Sequence, residues 1–213
     1  MTKMLITGAS RGIGRACAER FARAGGYAIS ALARDEDALH ALQRDYPASI
    51  TPLVLDLTAP FTLPHAYDIV VLNAGTYTPG GLLDPQRDVF TELLALNVLA
   101  NHRIARQLLP ALRSRDHGHL IVIGSVATDD TPEHMTAYAT TKKALRALFE
   151  GWEQELAGSG VRTTLIAPGA TLTSSWNDEA PPPRILQPDQ VAELVQRAVT
   201  EGLTGRWILR AED

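Results

Sequence analysis

Lys3-Met-Leu-Ile-Thr-Gly-Ala-Ser-Arg-Gly-Ile-Gly14 is the stretch that sets the fold. Lys3-Met-Leu-Ile-Thr7 reads as a short buried strand, and Gly8-Ala-Ser-Arg-Gly12-Ile-Gly14 follows it without a gap. Beyond it Ile13, Ala16, Cys17, Phe21 and Ala24 recur at helical spacing until Gly25-Gly26 stops the pattern. The amino end of such a helix can bind a phosphate, because its unpaired N–H groups and its dipole both favour an anion. Gly8 suits the tight turn, Gly12 a close approach to a pyrophosphate, and Gly14 the packing of the helix on the sheet. The spacing is Gly-x-x-x-Gly-x-Gly, not the Gly-x-Gly-x-x-Gly of the common dinucleotide fingerprint.

Outward from this unit, strands and helices alternate. Tyr27 to Ala33 reads as a second strand. In dinucleotide folds an acid at its end takes the ribose hydroxyls of NAD, whereas Arg accommodates the 2′-phosphate of NADP. Ala33 stands where the acid would be, with Arg34 next and Arg11 in the glycine turn, so NADP(H) is favoured. The alternative is that Arg34 merely faces solvent and Asp35 caps a helix through about residue 45. Ile50 to Leu55 and Ile69 to Asn73 are the third and fourth strands. Between them Leu57 to Asp68 contains Pro60 and Pro64, so the usual helical crossover is expected to shrink to a turn or bare loop. Asp88 to about Arg115 reads as a helix whose apolar face includes Leu93, Leu94, Leu96, Leu99, Ile104, Leu108 and Leu112, with Asn97 among them.

His119 to Ser125 is a fifth strand closed by Gly-Ser. The helix carrying Tyr138 continues through Leu145, Leu148, Phe149, Trp152 and Leu156. Arg162 to Ala167 is the sixth strand, followed by Pro168-Gly169. Ser174 to Gln187, with prolines at 181 to 183, reads as a mobile flap. Pro188 opens a last helix, and Trp207 to Arg210 is a terminal strand. The pattern implies an α/β fold: a Rossmann-type doubly wound parallel sheet of about six or seven strands, with residues 1–213 as a single NAD(P)-binding catalytic domain.

Ser125, Tyr138 and Lys142 carry the chemistry. Tyr and Lys four apart share a helix face. Free tyrosine titrates near pH 10, and an ammonium one turn away is expected to lower that toward the range where acid–base work is efficient. A serine hydroxyl at a strand end can hold a carbonyl or alcohol oxygen against the phenol, so the three suit carbonyl and alcohol interconversion.

Other classes fit less well. The net charge is −4 without a basic stripe, against a nucleic-acid footprint. No run approaches the roughly 20 apolar residues of a membrane span, and the first residues enter a strand directly without a signal-peptide segment, so a cytoplasmic location is expected. Cys17 is the one cysteine and reads as a packed core thiol. His117 and His119 straddle Gly118 with no third ligand evident, which argues against a metal. His134 reads as a solvated loop residue, and Asp129 and Asp130 would disfavour an anionic substrate if they point inward.

TGASRGIG at 7 to 14, Asp56, NAG at 73 to 75, Asn97, Ser125, YATTK at 138 to 142 and PG at 168 to 169 together resemble a short-chain dehydrogenase/reductase of the compact, NADP-preferring type. The resemblance covers nearly the whole chain. It implies that Tyr138 is the general acid in reduction and base in oxidation. Lys142 would lower its pKa and hold the nicotinamide ribose, Ser125 would orient the carbonyl, and Asn97 would hold a water linking Lys142 to solvent. Asp56 would bond the adenine, and Asn73, Ala74 and Gly75 would line the adenosine side. Thr171 and Thr173 would approach the carboxamide and phosphates. Gly8, Ser10, Arg11, Gly12, Ile13, Gly14, Arg34, Leu57, Pro168 and Gly169 complete the implied cofactor set, to which Tyr138 and Lys142 also belong.

Leu72 and Thr171 depart from the family's common Asn and Val. The shortened substrate loop implies an open pocket and loose selectivity. The helices carrying Asn97 and Tyr138 imply a homodimer or homotetramer. An NADPH-dependent carbonyl reductase is the expected activity. A non-catalytic NADP(H)-binding regulator or sensor of the same fold is the alternative. An epimerase or dehydratase of nucleotide sugars would ordinarily need a larger carboxyl-terminal domain.

Overall fold

A computed structural model describes residues 1–64, 66–176 and 180–211. Its strands are β1 (Thr2–Thr7), β2 (Tyr27–Ala33), β3 (Ile50–Val54), β4 (Ile69–Leu72), β5 (Gly118–Ile123), β6 (Val161–Pro168) and β7 (Gly205–Leu209). They form one seven-stranded sheet in the order β3-β2-β1-β4-β5-β6-β7. Every pairing is parallel. The strand order reverses between β1 and β4, and the crevice at their carboxyl ends is where such sheets bind ligands.

Strands buried on both faces read as continuous apolar runs, and their alternate residues feed two separate cores. Met4, Ile6, Ile69, Val71, Ile121 and Ile123 face Cys17 and Phe21 of α1 (Gly12–Ala24), Leu39 and Leu42 of α2 (Glu36–Asp45), and Val191 and Val195 of the last helix, Pro188–Glu201. Leu5, Val70, Leu72, Leu120 and Val122 face the opposite layer, which holds Ile104, Leu108, Leu145, Phe149 and Trp152. Cys17 is fully buried, and burial pushes its thiol up to about 12, so it is an inert core residue.

The connection from β3 to β4 is a bare loop among the described residues. Leu63 and Tyr67 bury themselves in the second core, and the Leu63 N–H donates to Gln107 at 2.9 Å. The flap is pinned at its base: Leu172 N–H donates to Leu186 C=O at 2.8 Å and Leu186 N–H to Ala170 C=O at 2.9 Å. Ser174–Trp176 makes one 3-10 turn, and residues 177–179 of the expected flap lie outside the described residues.

The helix expected from Asp88 to Arg115 is not uniform. It comprises α3 (Val89–Leu94), a π-helical segment (Ala95–Ala100) and α4 (Asn101–Ser114). A π turn carries more residues per turn and re-phases the faces. Asn97 and Val98 therefore turn inward, while Leu99, expected on the apolar face, is 43 % exposed.

His119 is fully buried on β5, with Nε2 2.7 Å from the Thr164 hydroxyl. That hydroxyl donates to Leu203 C=O at 2.6 Å, so the ring is the donor to Thr164 and stays neutral. Burial, with a smaller push from the Arg162 guanidinium, brings its pKa down to about 3. Protonation is thus favoured in the unfolded chain, where histidine titrates near 6.5. Stability present above that pH falls as pH drops toward 3. Denaturant melts at pH 6.5, 5 and 4 are expected to show His119→Gln losing about 1 kcal/mol less per pH unit than the parent.

Candidate active site

The turn after β1 is built by contacts only glycine permits. Gly8 has φ +68°, and a Cβ there would meet Asn73 Nδ2 at 2.9 Å. A Cβ on Gly14 would lie 2.2 Å from the Gly8 carbonyl oxygen, so Gly14 packs on the turn itself as well as serving the helix–sheet contact. Gly12 has φ +55° and faces Thr173, which a Cβ would meet at 3.1 Å. The α1 amino end has no side-chain cap and no acid in its first turn, leaving its N–H groups for an outside acceptor.

The loop after β4 is locked to the same turn. Thr7 Oγ1 accepts from Asn73 N–H at 3.0 Å and Ala74 N–H at 2.9 Å, and Asn73 Nδ2 donates to the carbonyls of Thr7 and Gly8 at 2.9 and 3.3 Å. Asn101 Nδ2 adds a bond to Ala74 C=O at 3.0 Å. Thr7 and Asn101 went unassigned in the sequence, because their roles exist only once β1, β4 and α4 are neighbours.

Asn97 is fully buried and its side-chain amide is paired. Its Oδ1 accepts from Thr76 N–H at 2.8 Å, while Nδ2 donates to Thr76 C=O at 3.0 Å and Thr141 Oγ1 at 3.1 Å. These bonds tie the loop after β4 to α5 (Thr136–Leu156). They reach the immediate neighbours of Tyr77 and Lys142.

Ser125 leaves β5 in extended backbone. Its Oγ accepts from Ala127 N–H at 3.1 Å, capping the short turn Val126–Thr128 and leaving its O–H to donate. Tyr138 and Lys142 occupy one face of α5, with Lys142 Nζ 5.8 Å from the phenol ring centroid. Lys142 is 6 % exposed, donates to Ile123 C=O at 3.1 Å, and burial brings its pKa down to about 8.

The Tyr138 pKa departs from expectation. Burial raises it to about 12, the Ser125 hydroxyl pulls it down, and Tyr77 pushes it up. Desolvation of the phenolate outweighs the nearby Lys142 cation, whose Nζ stands over the ring face and donates to the Ile123 carbonyl.

A cavity of about 710 Å³ runs continuously from the glycine turn to Tyr138. Of the sequence-predicted residues, Gly8, Ser10, Arg11, Gly12, Ile13, Arg34, Asp56, Leu57, Asn73 and Gly75 line it, with Ser125, Tyr138, Lys142, Pro168, Gly169, Thr171 and Thr173. Gly14, Ala74 and Asn97 do not line it and act from behind. Asp56 Oδ1 accepts from the Thr58 N–H and hydroxyl at 2.9 and 2.7 Å, and those bonds hold its carboxyl below the usual range. Asp35 caps α2 through Ala38 N–H at 3.0 Å, and Arg34 beside it lines the cavity. Asp130 lines the cavity, whereas Asp129 is taken by Arg206 and Arg146. His134 does not line it.

A family model described as short chain dehydrogenase matches residues 2–183. The chain belongs to the short-chain dehydrogenase family. It is 29 % identical over 209 residues to an uncharacterized oxidoreductase of Staphylococcus aureus, covering 92 % of this chain and 90 % of that one. A dehydrogenase/reductase SDR family protein 7-like of Anopheles gambiae is 30 % identical over 183 residues, 78 % of this chain, and the match spans only 58 % of that relative's length.

Among solved structures, a short-chain dehydrogenase from Sphingobium yanoikuyae in complex with NADPH superposes with a TM-score of 0.87 at 28 % identity, covering 98 % of this chain and 87 % of that one. An alcohol dehydrogenase from Thermococcus sibiricus complexed with 5-hydroxy-NADP gives 0.85 at 28 % identity, covering 99 % and 97 %. As a short-chain dehydrogenase the chain is an oxidoreductase. Among the described residues no helix is long and apolar enough to cross a membrane, and no group of three or more His, Cys, Asp or Glu could hold a metal ion.

The Tyr138 end of the cavity in this short-chain dehydrogenase contains two residues the sequence did not single out. Tyr77 meets the Tyr138 ring edge to face at 5.3 Å, and Trp176 lies 6.4 Å from Tyr77. Tyr77 directly follows the Asn-Ala-Gly-Thr run, which was its only signal in the sequence.

Proposed function

We propose that this short-chain dehydrogenase interconverts a carbonyl compound and an alcohol with NADP(H), using Tyr138 as the proton donor in reduction. The observation that carries the reading is the single cavity joining an uncapped helix amino end and Arg34 to Ser125, Tyr138 and Lys142.

The residues present fit a dinucleotide. The α1 amino end accepts a pyrophosphate, Gly8 and Gly12 add no Cβ to the turn where it approaches the phosphates, and Arg34 and Arg11 are cations available to a 2′-phosphate. The NADPH-bound and 5-hydroxy-NADP-bound relatives support the choice of NADP(H). When bound, the cofactor supplies the hydride.

The chain's own groups handle the proton. With a pKa of about 12 the Tyr138 phenol is protonated at neutral pH, and its O–H is donated to the carbonyl oxygen. The Ser125 hydroxyl donates to the same oxygen and fixes its position. Lys142, largely cationic at pH 7 with its pKa near 8, stabilises the phenolate left behind. Asn97 holds Thr76 and Thr141, and so positions the loop and helix that carry these groups.

NADPH consumption against a panel of aldehydes and ketones tests the activity; no turnover of any member contradicts it. Arg34→Asp tests the cofactor choice. Loss of a charge-assisted phosphate contact, worth about 1.5–3 kcal/mol, is expected to raise the Kd for NADPH roughly 10- to 100-fold while leaving NADH within about 3-fold. Equal loss for both cofactors contradicts the 2′-phosphate assignment.

A further inference from the structure

The cavity changes character along its length. Its nucleotide end carries Arg11, Arg34 and Asp56, whereas Tyr77, Val126, Met135 and Trp176 form the wall around Tyr138. Tyr77 stands at 89° to the Tyr138 ring and at 34° to the Trp176 indole. The indole is fixed rather than free to swing: Nε1 donates to Thr171 C=O at 2.8 Å and the Trp176 N–H to Thr173 C=O at 3.2 Å. Thr171 is itself held to Leu186 by the bridge at the base of the flap. The hydrogen bonds to Thr171 and Thr173 therefore fix one flat ring beside Tyr77.

Rings whose centroids lie 6.4 Å apart leave no gap for a third between them, since each stacked contact needs about 3.5 Å. Tyr77 and Trp176 make a continuous aromatic wall, not a clamp. Both are only partly buried, so ring surface remains open to a ligand. The acid that faces the cavity here is Asp130, while Asp129 is neutralised by Arg206 and Arg146. A carboxylate-bearing substrate would meet that acid.

We infer that the site selects neutral carbonyl compounds bearing a flat aromatic substituent, which lies on the Tyr77–Trp176 wall while the carbonyl oxygen meets Tyr138 and Ser125. The sequence-based expectation of loose selectivity is narrowed accordingly: the pocket tolerates variety in the ring's substituents but discriminates flat from puckered groups. This rests on Tyr138 as the proton donor, and the experiment separates the two.

Benzaldehyde and cyclohexanecarbaldehyde, matched in size and differing in planarity, are compared by kcat/KM in the parent, Tyr77→Leu and Trp176→Leu. Affinities of benzyl alcohol and cyclohexylmethanol for the enzyme–NADPH complex, where no hydride can move to the alcohol, are measured by calorimetry. Aromatic pairing adds roughly 2- to 10-fold per contact beyond buried area. The parent is expected to favour the aryl compound at least about 5-fold in both measurements, and each variant to bring the preference below about 2-fold with melting temperature preserved. Equal affinity for the two alcohols in the parent, or a preference that survives both replacements, overturns the aromatic wall. Absence of NADPH oxidation with every carbonyl, alongside a retained benzyl alcohol preference, overturns the reductase reading and upholds aryl recognition.

Discussion

Tyr138→Phe is expected to lower kcat/KM for NADPH-dependent carbonyl reduction by about 10³-fold, within the range that removal of a general acid produces. The phenylalanine keeps the ring and its edge-to-face contact with Tyr77, so only the O–H is removed. NADPH affinity is expected to stay within about 2-fold, because the helix amino end and Arg34 lie at the other end of the cavity. Steady-state rates with a fluorescence titration of NADPH measure the two effects separately. Retained turnover would move the proton to another donor, and loss of NADPH binding would make the hydroxyl a structural group.

The second large effect comes from a single methyl group. In Gly14→Ala the new Cβ would sit 2.2 Å from the Gly8 carbonyl oxygen and 2.5 Å from Asn73 Nδ2, both held by the Thr7 and Asn73 network. The glycine turn has to open or α1 has to withdraw. A stability loss of about 3 kcal/mol and a rise of more than about 10-fold in the Kd for NADPH are expected. Gly151→Ala is the control, since a Cβ there meets nothing within 4 Å in the middle of α5. It is expected to stabilise the protein by roughly 0.5–1 kcal/mol, because alanine is the better helix former. Chemical denaturation of the two variants side by side tells local clash from generic sensitivity to glycine replacement.

The parts of this fold that are written locally were readable in advance. Buried parallel strands must be apolar throughout, so Ile69-Val-Val-Leu72 and Leu120-Ile-Val-Ile123 announce themselves, and the glycine turn with its following helix places the dinucleotide crevice. The two prolines between β3 and β4 were enough to exclude a helix there. Asn73, Ser125, Tyr138 and Lys142 line one cavity because each stands near a strand end or on one helix face.

What was not legible depends on packing across the chain. Nothing in Ala95-Leu-Asn-Val-Leu-Ala100 signals a π turn, because the turn is favoured by the bonds Asn97 makes to Thr76 and Thr141 and Asn101 makes to Ala74. The upward pKa of Tyr138 reflects how much protein covers the phenol, which helical spacing does not encode. Asp129 and Asp130 are adjacent, and the positions of Arg206 on β7 and Arg146 on α5 decide that the first is paired while the second lines the cavity. Tyr77 and Trp176 are about a hundred residues apart, and the flap alone brings them together.

A crystal structure of the protein grown with NADP+ tests the central claim most directly. The pyrophosphate is expected at the amino end of α1, the 2′-phosphate against Arg34, and the nicotinamide beside Tyr138 and Lys142 with Ser125 facing it. A nicotinamide lying away from Tyr138, or a dinucleotide bound outside this cavity, would contradict it.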